Sequence, residues 1–199
     1  EFRLQALKYN IKKIDAVLYT HFHADHVHGI DELRRYNEMQ KSAVKCYGNK
    51  LTIKGIKKQH DYINKVKKEG GGIPSLDLIS VQNNFTVGDL EIIPIKLFHG
   101  KMPILGFRFL NIAYLTDCSS IPEESYGKLK DLDVLIINAL RHRPHSTHFT
   151  LAQALEQSRK INAKKTYFTH ICHDIEHEKE NKSLLKNCEL AYDGLEIDI

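Results

Sequence analysis

Four side chains of metal-ligand type fall within six positions, in His21-Phe22-His23-Ala24-Asp25-His26. Imidazole nitrogens and a carboxylate suit divalent first-row metals. The run follows directly on Ile14-Asp15-Ala16-Val17-Leu18-Tyr19-Thr20, which reads as a buried strand. A strand end is rigid, and the loop after it can aim several side chains at one point. His21 and His23 can bind one metal while Asp25 and His26 turn toward a second. The plain alternative is a solvated histidine-rich loop. The apolar strand before the run and Gly29 close behind it argue against that alternative.

Four ligands cannot complete two metal shells, so the others must come from distant sequence. Three residues share one context, a polar side chain at the end of an apolar strand. His99 ends Ile92-Ile93-Pro94-Ile95-Lys96-Leu97-Phe98, Asp117 ends Ile112-Ala113-Tyr114-Leu115-Thr116, and His170 ends Thr166-Tyr167-Phe168-Thr169. Alone, each would be an ordinary strand-end residue. Together, beside the first motif, they read as ligands. His145 and His148 precede Thr150-Leu151-Ala152-Gln153, a capping-box pattern that opens a helix. A helix start attracts anions, and a histidine placed there can act as a general acid. Arg141 and Arg143 are either phosphate contacts or solvent-exposed. His28, His60 and His142 read as surface groups or as neighbours of ligands, and Cys118 and Cys172 as supports of the ligands beside them or as packing, rather than as ligands.

The elements that must position these groups mix strands and helices. A short amphipathic helix is expected over 2–10, followed by the strand over 14–20, a helix near 29–38 and a strand over 43–47. A helix over 49–66 ends at Gly70-Gly71-Gly72-Ile73-Pro74. Strands follow over 77–82, 90–97, 104–110, 112–116 and 133–138, with a helix to about residue 161. A strand over 165–169 and a terminal hairpin over 189–199 complete the chain. This alternation predicts an α/β layered domain, and periodicity alone does not give its topology.

Composition bounds the reading. The 199 residues suit one domain with a substantial core, and 42% hydrophobic with 27% charged residues is ordinary for a soluble protein. No apolar run reaches the roughly 20 residues of a membrane span. Glu1-Phe2-Arg3-Leu4 does not resemble a signal peptide. The 4 cysteines are widely spaced, which argues against a disulfide framework and fits a cytoplasmic location. Net charge is +4, but the lysine pairs are scattered and not interleaved with aromatics, so nucleic acid is not the expected partner. The unusual count is 12 histidines.

These motifs resemble the metallo-β-lactamase superfamily, and within it the branch of the phosphoribosyl cyclic phosphate phosphodiesterases. The resemblance rests on Tyr19 to Gly29, Phe98-His99-Gly100, Tyr114 to Ser119, Arg143 to Leu151 and Thr169 to Asp174, in the family's order and over nearly the whole chain. It implies a single metallo-β-lactamase-like domain over 1–199, an αββα four-layer sandwich lacking its first strands. It implies that His21, His23 and His99 hold one metal ion, that Asp25, His26 and His170 hold a second, and that Asp117 bridges them. The ions would be Zn²⁺ or Mn²⁺. Two such ions roughly 3.5–4 Å apart activate a bridging hydroxide and neutralise charge on a phosphoryl group. The His148-x-Thr150 spacing resembles the start of the equivalent helix in tRNA 3′-processing nucleases, which favours His148 as general acid, with His145 second. The catalytic candidates are thus His148, His145 and Asp25. In some relatives the residue matching His173 joins an N-terminal cysteine cluster, which has no counterpart here.

The expected function is hydrolysis of a small phosphodiester, such as a cyclic ribose phosphate. A tRNA-processing-type endonuclease and a catalytically silent metal-binding module are the alternatives. Relatives carry strands ahead of the point where this sequence begins, so exposed sheet edges, and with them either homodimer formation or poor solubility, are expected.

Overall fold

The computed structural model describes residues 1–65 and 72–198. They form two compact units, Glu1–Asp89 and Leu90–Ile199.

The first unit runs α1 (Phe2–Lys8), β1 (Ala16–Leu18), α2 (Ala24–Val27), a 3₁₀ turn, α3 (Leu33–Gln40), β2 (Val44–Gly48), α4 (Lys50–Gln59), α5 (Tyr62–Lys65), β3 (Leu76–Ser80) and β4 (Phe85–Val87). Strands β1, β2 and β3 form a parallel sheet in that order. Parallel neighbours require crossovers, and α2–α3 and α4–α5 supply them. Val27, Ile30, Leu33 and Tyr36 pack with Tyr19, Val44, Cys46 and Ile56 in one buried cluster. Burial drives the Cys46 thiol up to about 12, so it stays protonated as a small apolar group. Asn49 caps α4 by accepting from the Thr52 backbone N–H at 2.7 Å.

The second unit runs β5 (Leu90–His99), β6 (Met102–Phe109), β7 (Ile112–Leu115), α6 (Glu123–Tyr126), a 3₁₀ turn, β8 (Val134–Asn138), α7 (Leu151–Ile161), β9 (Lys165–Thr169), α8 (His177–Ser183) and β10 (Cys188–Leu190). Six of its strands are ordered β10-β9-β8-β7-β6-β5. The β5–β6 and β6–β7 pairs are antiparallel, and β7 through β10 are parallel. His99 pairs with Met102, so Gly100-Lys101 is a two-residue turn, with Gly100 at φ 61. Ile95, Leu97, Ile104, Leu115, Leu135, Ile137 and Phe168 lie in the core under α7 residues Leu151 and Ala154. Both bonds of the expected capping box form: Gln153 N–H donates to Thr150 Oγ1, and Thr150 N–H donates to Gln153 Oε1.

The α/β class agrees with the sequence. Several boundaries do not. The strand expected over 14–20 is only Ala16–Leu18, and it is half-buried. The helix expected over 49–66 breaks at His60, whose φ of −118° leaves the helical region, and resumes as α5. Residue 66 and the expected break at Gly70-Gly71 lie outside the described residues. Among the described residues the terminal hairpin does not form. Cys188–Leu190 instead pairs in parallel with β9, because Ala191 N–H donates to Phe168 C=O and leaves the following residues outside any strand. None of the helices among the described residues is long and apolar enough to cross a membrane.

Candidate metal centre

In the first unit the histidine run follows β1 directly. Thr20 and His21 are buried, and Thr20 Oγ1 lies 3.0 Å from His21 Nδ1. A hydroxyl that accepts from Nδ1–H leaves Nε2 with its lone pair, the state a ligand needs. His21 Nε2 lies 3.0 Å from His23 Nδ1. His23 is the N-cap of α2, and Asp25 stands in its first turn. The His21 and His26 rings are 4.3 Å apart, and His26 Nε2 reaches Asp25 Oδ2 at 3.2 Å. The cluster has a packing device behind it. A Cβ on Gly55 of α4 would lie 2.3 Å from Phe22 Cγ, so Phe22, between two of the histidines, is seated against bare backbone.

In the second unit a buried carboxylate gathers histidines. Asp117 is 1% exposed. His170 Nε2 lies 3.1 Å from its Oδ1, and His148 Nε2 lies 3.4 Å from its Oδ2. His99 Nδ1 donates to the Asp117 carbonyl oxygen at 2.8 Å. A carbonyl only accepts, so this bond fixes the proton on Nδ1 and leaves His99 Nε2 as a lone-pair donor. Donor atoms of His99, Asp117 and His148 lie within 4.8 Å of one another. A buried carboxylate is costly without a cationic or hydrogen-bonding partner, so these imidazoles, or a cation beside them, are required. His170 has φ 56, a left-handed conformation that costs a non-glycine residue roughly 1–2 kcal/mol. Strain held at a strand end that aims a side chain at a buried carboxylate is typical of a working site.

Both clusters offer only nitrogen and oxygen donors, with His99 held in the ligand tautomer from behind and the Thr20 hydroxyl beside His21 Nδ1. This set fits divalent metal ions.

At the approach to α7, His145 and His148 stand with their Nδ1 atoms 2.9 Å apart. Burial, then His148, then Arg141, push the His145 pKa down. Arg141 and Arg143 hold loops. Arg141 donates to the carbonyls of Arg143 and Pro144, and Arg143 pairs with Asp174 at 2.6 Å. His142 pairs with Glu180 at 3.1 Å. His60 contacts the Tyr62 hydroxyl, and His28 is exposed. Half-buried Cys172 and exposed His173 form a small group with Asp174. Cys118 is fully buried, and its backbone N–H donates to Asn138 Oδ1 at 2.7 Å.

Sequence reasoning passed over Thr20, Asn138 and Thr147. Asn138 had a usable signal, since it closes an apolar strand just as Asp117 and His170 do. Thr20 and Thr147 carried none, because a threonine beside a histidine is common.

Residues 2–171 match the model of the beta-lactamase superfamily domain. The chain belongs to that superfamily. A solved structure described as a diphosphatase from the PhnP family superposes on it with a TM-score of 0.91 and 40% identity, covering 100% of this chain and 76% of the other. An octanoyltransferase from Porphyromonas gingivalis is 36% identical over 200 residues, 98% of this chain. The chain spans 40% of that relative's length. Human tRNase Z, short form, shares the fold at a TM-score of 0.66 and 20% identity, covering 94% of this chain and 79% of its own. The superfamily resemblance carried by the motifs is thus borne out, and the chain has a metallo-hydrolase fold.

Proposed function

We propose that this chain hydrolyses a small phosphodiester with two divalent ions, Zn²⁺ or Mn²⁺. In this reading His21, His23 and His99 hold one ion, and Asp25, His26 and His170 the other, with Asp117 between them. Bound ions would supply Lewis acidity toward the phosphoryl oxygens and a water acidic enough to attack near neutral pH. Asp25, the most exposed of the ligands, also faces incoming substrate. The chain's own groups do the rest. His99 and His21, pinned through Nδ1, keep their Nε2 atoms fixed so that no reorganisation is needed on binding. His148 delivers a proton to the departing alkoxide, and His145 supports it.

The observation that carries the reading is the His145–His148 pair set before a capped helix, with His148 Nε2 facing the Asp117 carboxylate at 3.4 Å. An acid next to a helix N-terminus suits an anionic substrate whose leaving group needs a proton. The similarity to a PhnP-family diphosphatase supports phosphoryl chemistry and favours a diphosphate linkage as the second reading.

The test is metal analysis followed by turnover on a cyclic phosphodiester, bis(p-nitrophenyl) phosphate, a diphosphate diester, a β-lactam and a thioester. Preference for the diesters supports the reading. Preference for the diphosphate moves it to the second. Preference for the thioester or β-lactam overturns both.

A further inference from the structure

Thr147 takes no part in the site as expected from the sequence, yet its hydroxyl closes a triangle with both loop histidines. Thr147 Oγ1 lies 3.2 Å from His145 Nδ1 and 3.0 Å from His148 Nδ1. The two Nδ1 atoms, 2.9 Å apart, have room for one proton between them. The Thr147 backbone N–H donates to His145 Nδ1 at 3.3 Å. That donation marks His145 Nδ1 as the acceptor, so the shared proton belongs to His148 Nδ1. A hydroxyl has one proton and two lone pairs. It can accept from His148 Nδ1–H, while its own proton, the backbone N–H and His148 Nδ1–H share the single lone pair of His145 Nδ1. His148 is then held by its Nδ1 edge, with Nε2 turned toward Asp117.

The position of the hydroxyl is itself fixed. Gly100, at φ 61 in the β5–β6 turn, leaves the space that Thr147 Cγ2 fills, and a Cβ there would come within 3.0 Å of it. The methyl packs against this turn, and the hydroxyl lies between the two rings.

We propose that Thr147 is a positioning residue, whose hydroxyl holds His145 and His148 in one arrangement and points the Nε2–H of a His148 protonated on both nitrogens at the leaving group. This rests on the phosphodiesterase reading above. A positioning role of this kind is lost when the hydroxyl is removed and kept when only the methyl is removed.

The experiment compares Thr147→Val and Thr147→Ser in the metal-loaded protein. The substrates are a diester with an alkyl leaving group and bis(p-nitrophenyl) phosphate, whose leaving group needs no proton. Thr147→Val should lower kcat on the alkyl substrate about 10-fold or more, a part of the ~10²-fold typical of general acid catalysis. KM, metal content and turnover of the p-nitrophenyl substrate should stay near wild type. Thr147→Ser should recover most of the alkyl activity. Side-chain ¹⁵N–¹H correlation spectra give a readout independent of turnover. Wild type and Thr147→Ser should show His148 protonated at Nδ1, and Thr147→Val should show the two histidines exchanging tautomers. Equal loss in both variants, loss on both substrates alike, or unchanged spectra in Thr147→Val would overturn the proposal. If wild type cleaves neither diester the phosphodiesterase reading falls, while the spectra still decide whether the hydroxyl orders the pair.

Discussion

Gly55→Ala sets secondary-structure propensity against packing. Gly55 lies inside α4, where alanine should stabilise a helix by about 1 kcal/mol. The structure predicts the opposite sign. The new Cβ would lie 2.3, 2.7 and 2.8 Å from Phe22 Cγ, Cδ2 and Cβ. Contacts that short do not persist, so Phe22 or the helix must move, and overpacking of this kind costs roughly 1–3 kcal/mol. The neighbours of Phe22 are His21 and His23, the first of them buried, which leaves the ring little freedom to retreat. The net effect is a loss of roughly 0–2 kcal/mol once the propensity gain is set against the clash. In urea, with a slope of about 1–3 kcal/mol per M, the midpoint should fall by up to about 1 M. The decisive comparison is the same change in a Phe22→Ala background. There the clash is gone, and Gly55→Ala should raise stability by about 1 kcal/mol. A coupling of roughly 1–3 kcal/mol between the two positions follows. If Gly55→Ala stabilises the wild type, or has the same effect in both backgrounds, the packing argument is wrong.

Other outcomes follow from the same geometry. His170→Gly should be more stable than His170→Ala by about 1 kcal/mol in thermal unfolding without metal, because only glycine relieves the φ of 56. Asn138→Ala leaves the buried Cys118 N–H without its acceptor, and should cost about 1–3 kcal/mol in chemical denaturation. The same substitution should weaken metal binding by calorimetry, since Cys118 follows Asp117 directly. The depressed pKa of His145 means that the folded state binds this proton less readily than the unfolded state. Its contribution to stability is therefore present above the ordinary histidine value and is lost as pH falls through that range. His145→Gln should make the stability curve flatter between about pH 7 and pH 5. Chelation should abolish diester turnover, and added Zn²⁺ or Mn²⁺ should restore it. Turnover unaffected by chelators would refute the metal reading.

The sequence was most informative where chemistry and periodicity coincide. A strand followed by His21 to His26 needs no tertiary information to read as a ligand loop, because the spacing is local. The capping box at Thr150 and Gln153 formed as written for the same reason. The apolar runs ending at His99, Asp117 and His170 pointed to strand ends, and each lies at the end of a strand or just beyond it. What sequence alone missed lay in pairings between distant residues. Nothing local distinguishes a terminal hairpin from a single strand that joins β9 in parallel, and the bond from Ala191 to Phe168 decides it. The break in the helix at His60 was equally hidden, since its flanks read as one helical pattern.

The motif named the candidate ligands, because ligand type and strand-end context are written in the chain. Only the tertiary structure decided their states. The Asp117 carbonyl fixes the His99 proton, Asn138 anchors the backbone beside Asp117, and Thr147 stands between His145 and His148. These are long-range contacts or rotamer choices, and a one-dimensional pattern carries no record of them. The physical reason is that a side chain's identity sets what it can donate, while its neighbours in space set which atom does so.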